Sequence, residues 1–277
     1  MTKSYRLGDF CFELKSANTE LSNCIGSLLE KYNIDVDKNP LSLIDIDLPL
    51  EIVAGWDEVV SEASGLEIVR LIVRRALNHH HDYLWFDAAT LVSPHGKVVL
   101  IVGASHSGKS TAATALAFGC SWKILAEDVS LVDPKTRTIK TFASPISLRT
   151  GSLERIQRAT GVLPGPVIAS EWVPINDHLN KEIVDFKVDL AIELAVTDPR
   201  ADQPMSVTRV SAQTFIHTLL PLCNAIHLDN GIELLDDGLK YSTCFRISGG
   251  SLSQRLEFIT SQTNENVTTI EGKAEQP

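Results

Sequence analysis

The run Lys97-Val98-Val99-Leu100-Ile101-Val102 passes without a break into Gly103-Ala104-Ser105-His106-Ser107-Gly108-Lys109-Ser110. Thr111 to Phe118 then follows as a stretch of good helix formers, closed by Gly119. An uninterrupted apolar run of this length marks a strand buried on both faces, hence a central one. The eight residues after it fit G-x-x-x-x-G-K-[ST] at every fixed position. Chance produces such a match in about one chain of this length in a hundred. The pattern has a physical basis: backbone N–H groups of a Gly-rich loop curl around phosphates, and the following helix presents its positive dipole end to them. Strand, loop and helix together predict an α/β fold and a nucleotide held by Gly103, Ala104, Ser105, His106, Ser107, Gly108, Lys109, Ser110 and Thr111. Lys109 would reach the β- and γ-phosphates of ATP, and the Ser110 hydroxyl would ligate Mg²⁺. His106 occupies a variable position and reads as solvent-exposed.

Outward from this loop, Leu84 to Val92 reads as a second strand joined to the first through a turn at Pro94-His95-Gly96. Trp122 to Ala126 is a short strand that stops at Glu127-Asp128, 18 and 19 positions after Lys109. That spacing holds one helix of about three turns, a tight turn and a strand. It brings both acids to the sheet edge beside the phosphate loop, where ligands of open α/β sheets bind. Neighbouring residues at a strand end face different ways, which suits one acid on a metal and one on a phosphoryl acceptor. The competing reading is a solvated acidic turn. Val129 to Val132 and Thr138 to Phe142 read as strands around an Asp133-Pro134 turn, Leu190 to Val196 as a buried strand, and Ala212 to Leu220 as a helix. Residues 1–80 read as a small mixed lobe, 81–260 as the nucleotide-binding domain and 261–277 as a flexible polar tail. Within the lobe, Tyr5 to Leu14 alternates as a strand or hairpin arm, and helices are expected near Glu20 to Tyr32 and Leu66 to Leu77.

The chain has 277 residues, 25 Lys and Arg against 35 Asp and Glu, and a net charge of −10. That balance argues against a broad nucleic-acid footprint or an anionic-membrane surface. Five cysteines at 11, 24, 120, 223 and 244 form no Cys-x-x-Cys pair and read as scattered reduced thiols. The start lacks a signal-peptide pattern and no segment approaches about 18 apolar residues, so a cytoplasmic location is expected.

Asp87-Ala88-Ala89, the phosphate loop, Leu125-Ala126-Glu127-Asp128-Val129-Ser130-Leu131-Val132 and Phe142-Ala143-Ser144-Pro145-Ile146-Ser147-Leu148-Arg149 together resemble the HPr kinase/phosphorylase-like group, related in fold to the phosphoenolpyruvate carboxykinases. The resemblance covers residues 84 to 150 clearly. It implies a P-loop-containing mixed sheet flanked by helices, with ATP- and Mg²⁺-dependent phosphoryl transfer to a hydroxyl of a protein, peptide or small molecule. It assigns Glu127 to the acceptor as base and Asp128 to the metal, with the order of the two open, and it is compatible with a homo-oligomer. Two departures matter: HPr kinases carry two aspartates where this chain has Glu127-Asp128, and many relatives show His where this chain has Asp87. Asp87 thus becomes a candidate third acid near the metal. The sequence carries no convincing copy of the downstream signature that HPr kinases associate with dephosphorylation, so no reverse phosphorylase activity is expected. A nucleotide-binding regulatory module, or an NTPase without transfer to an acceptor, is the reading from another class.

The weaker candidates are few. Arg149 offers a bidentate fork for a phosphate or an acidic substrate. Arg155 and Arg158 share a helix face that reads as solvated. His79-His80-His81-Asp82 cannot easily converge on one ion, and His217 and His227 read as structural. Trp56, Trp85, Trp122 and Trp172 are too dispersed for a base-stacking platform.

Overall fold

A computed structural model describes residues 2–7, 10–15, 82–142, 146–148, 151–165, 172–173, 176–180, 182–196 and 203–264. Near the start, β1 (Thr2–Leu7) and β2 (Phe10–Lys15) pair antiparallel from Thr2 opposite Lys15 to Leu7 opposite Phe10. The expected helices at 20–32 and 66–77 lie outside the described residues, as do Trp56 and His79 to His81.

The main body is a nine-stranded mixed sheet. Its strands are β3 (Leu84–Val92), β4 (Val98–Val102), β5 (Lys123–Ala126), β6 (Val129–Asp133), β7 (Thr138–Lys140), β10 (Val184–Asp185), β11 (Leu190–Leu194), β12 (Ser206–Val210) and β13 (Thr243–Ser248). The order is β10-β7-β6-β3-β4-β11-β13-β12, with β5 beside β3 as well. A two-stranded piece pairs β8 (Ile146–Ser147) with β9 (Trp172–Val173). Helices α1 (Lys109–Cys120), α2 (Ser152–Thr160) and α5 (Leu252–Asn264) contribute to the apolar layer on one face of the sheet, and α3 (Ala212–Leu219) and α4 (Gly231–Leu239) to that on the other. β4 is the central strand its composition predicts: all five residues are buried, with β3 antiparallel on one side and β11 parallel on the other.

The register sets the geometry of the site. Val102, the last residue of β4, pairs with Ala88 of β3. On the far edge of β3, Thr90 pairs with Ala126 of β5 and Asp87 with Val129 of β6. Glu127 and Asp128 therefore stand opposite Ala89 and Ala88, level with the end of β4. Beyond that row β3 continues with β6, β7 and β10 as a ribbon overhanging the end of β4. The first residue of the overhang is Asp87.

Two local features differ from expectation. α1 does not stop at Gly119 but runs through it to Cys120, and Ser121 ends it in the left-handed region (φ 60°). Gly119 is small for a packing reason: a Cβ there would lie 2.4 Å from Cγ2 of Thr160, the last residue of α2. α5 extends through Ser261 to Asn264, into the stretch expected as a tail, because Ile259 and Thr263 are buried. By contrast α3 begins as read, with the Ser211 hydroxyl accepting from the Thr214 N–H (3.1 Å) as its cap.

Candidate functional site

The loop between β4 and α1 is held by close backbone approach. Gly103 has φ +150°, and a Cβ there would come within 2.4 Å of the Leu194 carbonyl oxygen at the end of β11 and 2.6 Å of Ser107 Oγ. Only glycine allows the loop to leave the sheet at this point. Ser107 N–H donates to the Ala104 carbonyl (3.1 Å), His106 takes a positive φ of 73°, and Gly108, at φ +99°, leads into α1. Ala104, Ser105 and His106 are exposed, Ser107 is buried, and Gly108, Lys109, Ser110 and Thr111 are half-buried. The Ser107 hydroxyl is buried without a hydrogen-bond partner. Thr111, by contrast, turns its hydroxyl to Ser152 of α2 (3.3 Å).

Lys109 is held at both sides. Its Nζ donates to the Gly103 carbonyl (2.7 Å) and lies 3.0 Å from Asp87 Oδ1, a charge contact without hydrogen-bond geometry. Asp87 gets there because it is the first residue of β3 beyond the end of β4, where Ala88 pairs with Val102. Its likeness to a third acid was visible in the sequence; its pairing with the loop lysine was not.

Glu127 and Asp128 differ in environment although they are adjacent. Glu127 is 4% exposed, and Asp128 is exposed. Asp128 has φ +68°, and Val129 N–H donates across it to the Glu127 carbonyl (2.8 Å), closing a γ-turn. A non-glycine residue in that conformation stores about 1–3 kcal/mol. The turn breaks the strand so that Glu127 points inward and Asp128 outward. Burial is the main reason the Glu127 carboxyl is pushed up to about 8, and the Asp128 charge adds to it. A hydrogen bond with Ser110 and the Lys109 charge oppose the rise, and Asp87 adds a smaller repulsion. Glu127 thus touches the residue expected on the metal. Nearby, Thr90 Oγ1 and Ser130 Oγ share a buried hydrogen bond (2.6 Å), and Ser130 Oγ donates to the Ala88 carbonyl (3.1 Å), which pins β3 to β6 beside the acids.

Lys109, Ser110, Asp87 and Glu127 therefore meet at the loop, with Asp128 exposed next to Glu127, whereas other candidates do not join them. Arg149 lies outside the described residues. Arg155 and Arg158 are exposed on α2, where Arg158 pairs with Glu154 (3.2 Å). His217 and His227 are exposed, which corrects the structural role expected of them. Trp122 is a core residue at 1% exposure. Sequence reading missed Arg255 of α5, whose Nη1 donates to the Ser107 carbonyl (3.4 Å). The 148-residue separation of the partners leaves no local signal for that contact.

Among the described residues, no three His, Cys, Asp or Glu side chains form a group suited to a metal ion. Mg²⁺ needs no such group: it commonly takes one or two carboxylates plus phosphate oxygens and water. The Ser110 hydroxyl and the carboxylates of Glu127 and Asp128 are hard oxygen donors of the fitting kind. No helix among the described residues is long and apolar enough to cross a membrane.

No protein-family model matches the chain, and no curated protein matches it in sequence. Among solved structures, it is similar to the HPr(Ser) kinase/phosphatase from Coxiella burnetii at 13% identity. The match covers 65% of this chain and 93% of that one, with a TM-score of 0.31. A likeness of that degree carries no statement about what this chain does.

Proposed function

We propose that the protein is an ATP- and Mg²⁺-dependent kinase that transfers the γ-phosphoryl group to a hydroxyl of a protein, peptide or small-molecule acceptor. The observation that carries this reading is the buried Glu127, hydrogen-bonded to Ser110 and grouped with Asp128, Asp87 and Lys109 at the mouth of a Gly-rich loop. A solvated acidic turn would leave both acids in water; here one is desolvated and aimed at the loop.

In this reading the Gly103–Ser110 backbone binds the triphosphate, and Lys109 leaves Asp87 to contact the β- and γ-oxygens. Ser110 and Asp128 would hold Mg²⁺, which would supply charge neutralisation for the phosphate oxygens. Glu127 takes the proton from the acceptor hydroxyl. Burial raises the proton affinity of the Glu127 carboxylate, so once ionised it is a stronger base than an ordinary glutamate, with a titration range near neutral pH. Transfer is direct: the acceptor oxygen forms the new P–O bond as the bond from the γ-phosphorus to the bridging oxygen of ADP breaks.

The test is mass spectrometry of peptide and metabolite fractions incubated with Mg·ATP and either wild type, Lys109→Ala or Glu127→Gln. A species that gains 80 Da (one phosphoryl group, by stoichiometry) with wild type alone supports the kinase. Nucleotide binding by wild type and Glu127→Gln without transfer in any fraction favours a regulatory module. Phosphate release from ATP with no acceptor favours an NTPase.

A further inference from the structure

The turn before α5 brings an arginine to the underside of the phosphate loop. Gly249 and Gly250 both have positive φ, 62° and 72°, and a Cβ on Gly249 would lie 2.3 Å from the Pro204 carbonyl oxygen, so this turn has one available course. Arg255, in the first turn of α5, is 9% exposed. Its Nε donates to the Gly249 carbonyl (2.9 Å) and its Nη1 to the Ser107 carbonyl (3.4 Å). Nη1 also lies 3.9 Å from where a Cβ on Gly108 would stand. One guanidinium thus joins the C-terminal turn to the loop, using the fork geometry that lysine lacks.

The direction of the contact matters. The Ser107 carbonyl and the Gly108 N–H belong to one planar trans peptide and point in opposite directions. Drawing the carbonyl toward α5 turns the Gly108 N–H away from α5. Gly108 immediately precedes α1, where unsatisfied N–H groups collect to bind anions. We infer that Arg255 is a positioning residue of the phosphate cradle: by holding the Ser107 carbonyl it fixes the Ser107–Gly108 peptide with its N–H turned toward bound phosphate. This inference rests on the nucleotide reading above. It also gives α5, far along the chain from the loop, a part in ligand affinity.

The experiment uses the full chain labelled with ¹⁵N-glycine, as wild type, Arg255→Gln and Arg255→Lys, titrated with Mg·ADP. Affinity is read by calorimetry and the Gly108 amide by NMR. Wild type is expected to show a downfield Gly108 shift as that N–H meets phosphate. Arg255→Gln should bind about tenfold more weakly, or about 1.4 kcal/mol, with a reduced shift, while Arg255→Lys recovers part of both. A merely structural arginine would lower the melting temperature and leave the amide shift unchanged. Variants that bind within about twofold of wild type with the same Gly108 shift overturn the inference. If Arg255→Gln fails to fold, Arg255→Lys decides by the same two readings. Absence of Mg·ADP binding by wild type removes the nucleotide reading and this inference together; binding by wild type with unaltered variants removes this inference alone.

Discussion

Glu127→Gln should stabilise the metal-free protein at alkaline pH and leave it nearly unchanged at acid pH. The Glu127 carboxyl is pushed up to about 8 in the folded chain, against an ordinary value of 4.5. The folded state therefore keeps a proton that the unfolded state has released. Stability from this group is fully present below about pH 4.5 and is lost as pH rises through about 8. Each pH unit in that window is worth about 1.4 kcal/mol, so the whole interval sets a ceiling of about 5 kcal/mol. Water entry and side-chain relaxation on ionisation reduce it, and about 2 kcal/mol is the expected gain of the glutamine at pH 9. Glutamine has the shape of the protonated acid and can keep a hydrogen bond with Ser110, yet it never ionises. For a domain of this size the gain corresponds to about 4–8 °C in melting temperature. The assay is thermal unfolding of both proteins in EDTA from pH 5 to 9 at constant ionic strength. A difference that does not grow with pH, or a glutamine variant less stable at pH 9, would show that Glu127 is ionised and hydrated in the fold, and the argument from burial would be wrong.

Asp87→Asn removes the carboxylate 3.0 Å from Lys109 Nζ; because Asp87 is partly exposed the pair is worth about 1 kcal/mol or less, and calorimetry in EDTA should find Mg-free ATP bound up to about fivefold more tightly. Unchanged or weaker binding would mean that Lys109 does not exchange Asp87 for phosphate. Gly119→Ala forces a Cβ to within 2.4 Å of Thr160 and should destabilise by about 1–3 kcal/mol, without altering nucleotide affinity; a rise in melting temperature, as helix propensity alone would give, refutes the packing argument. At Asp133, burial works to raise the carboxyl, but hydrogen bonds from the Lys135 and Thr136 amides and the Thr136 hydroxyl, with the Lys140 charge, outweigh it and hold the group below its usual range. Its contribution is thus present above about pH 4 and lost as pH falls further, so Asp133→Asn should flatten the acid limb of the stability profile, and an unchanged limb counts against the assignment.

The parts of this molecule legible in the sequence are those fixed by local chemistry. The unbroken apolar run of β4, the glycines of the loop and the helix formers of α1 each act on neighbours a few residues away. The acids were found by spacing, which follows from helix and strand rise, but their unequal burial was not, because it depends on a left-handed residue at Asp128 and a strand break that aspartate tolerates without announcing. Gly119 was misread as a helix stop because the reason for its size lies on α2. His217 and His227 lacked partners in the sequence and proved to lie in solvent, where none is needed. Arg255, like Lys109 with Asp87, owes its place to contacts between segments distant in the chain.

The shared strand β3 works as a ruler. It is bonded along one edge to the strand that carries the loop and along the other to the segments that carry the acids. The main-chain distance from β4 to Glu127-Asp128 is therefore two inter-strand steps, about 10 Å, and cannot be stretched without breaking a ladder. Reach across the site must instead be set by side-chain length. An exchange of glutamate for aspartate at position 127 would withdraw the carboxyl by one methylene against a fixed scale, making it a change of distance at constant charge.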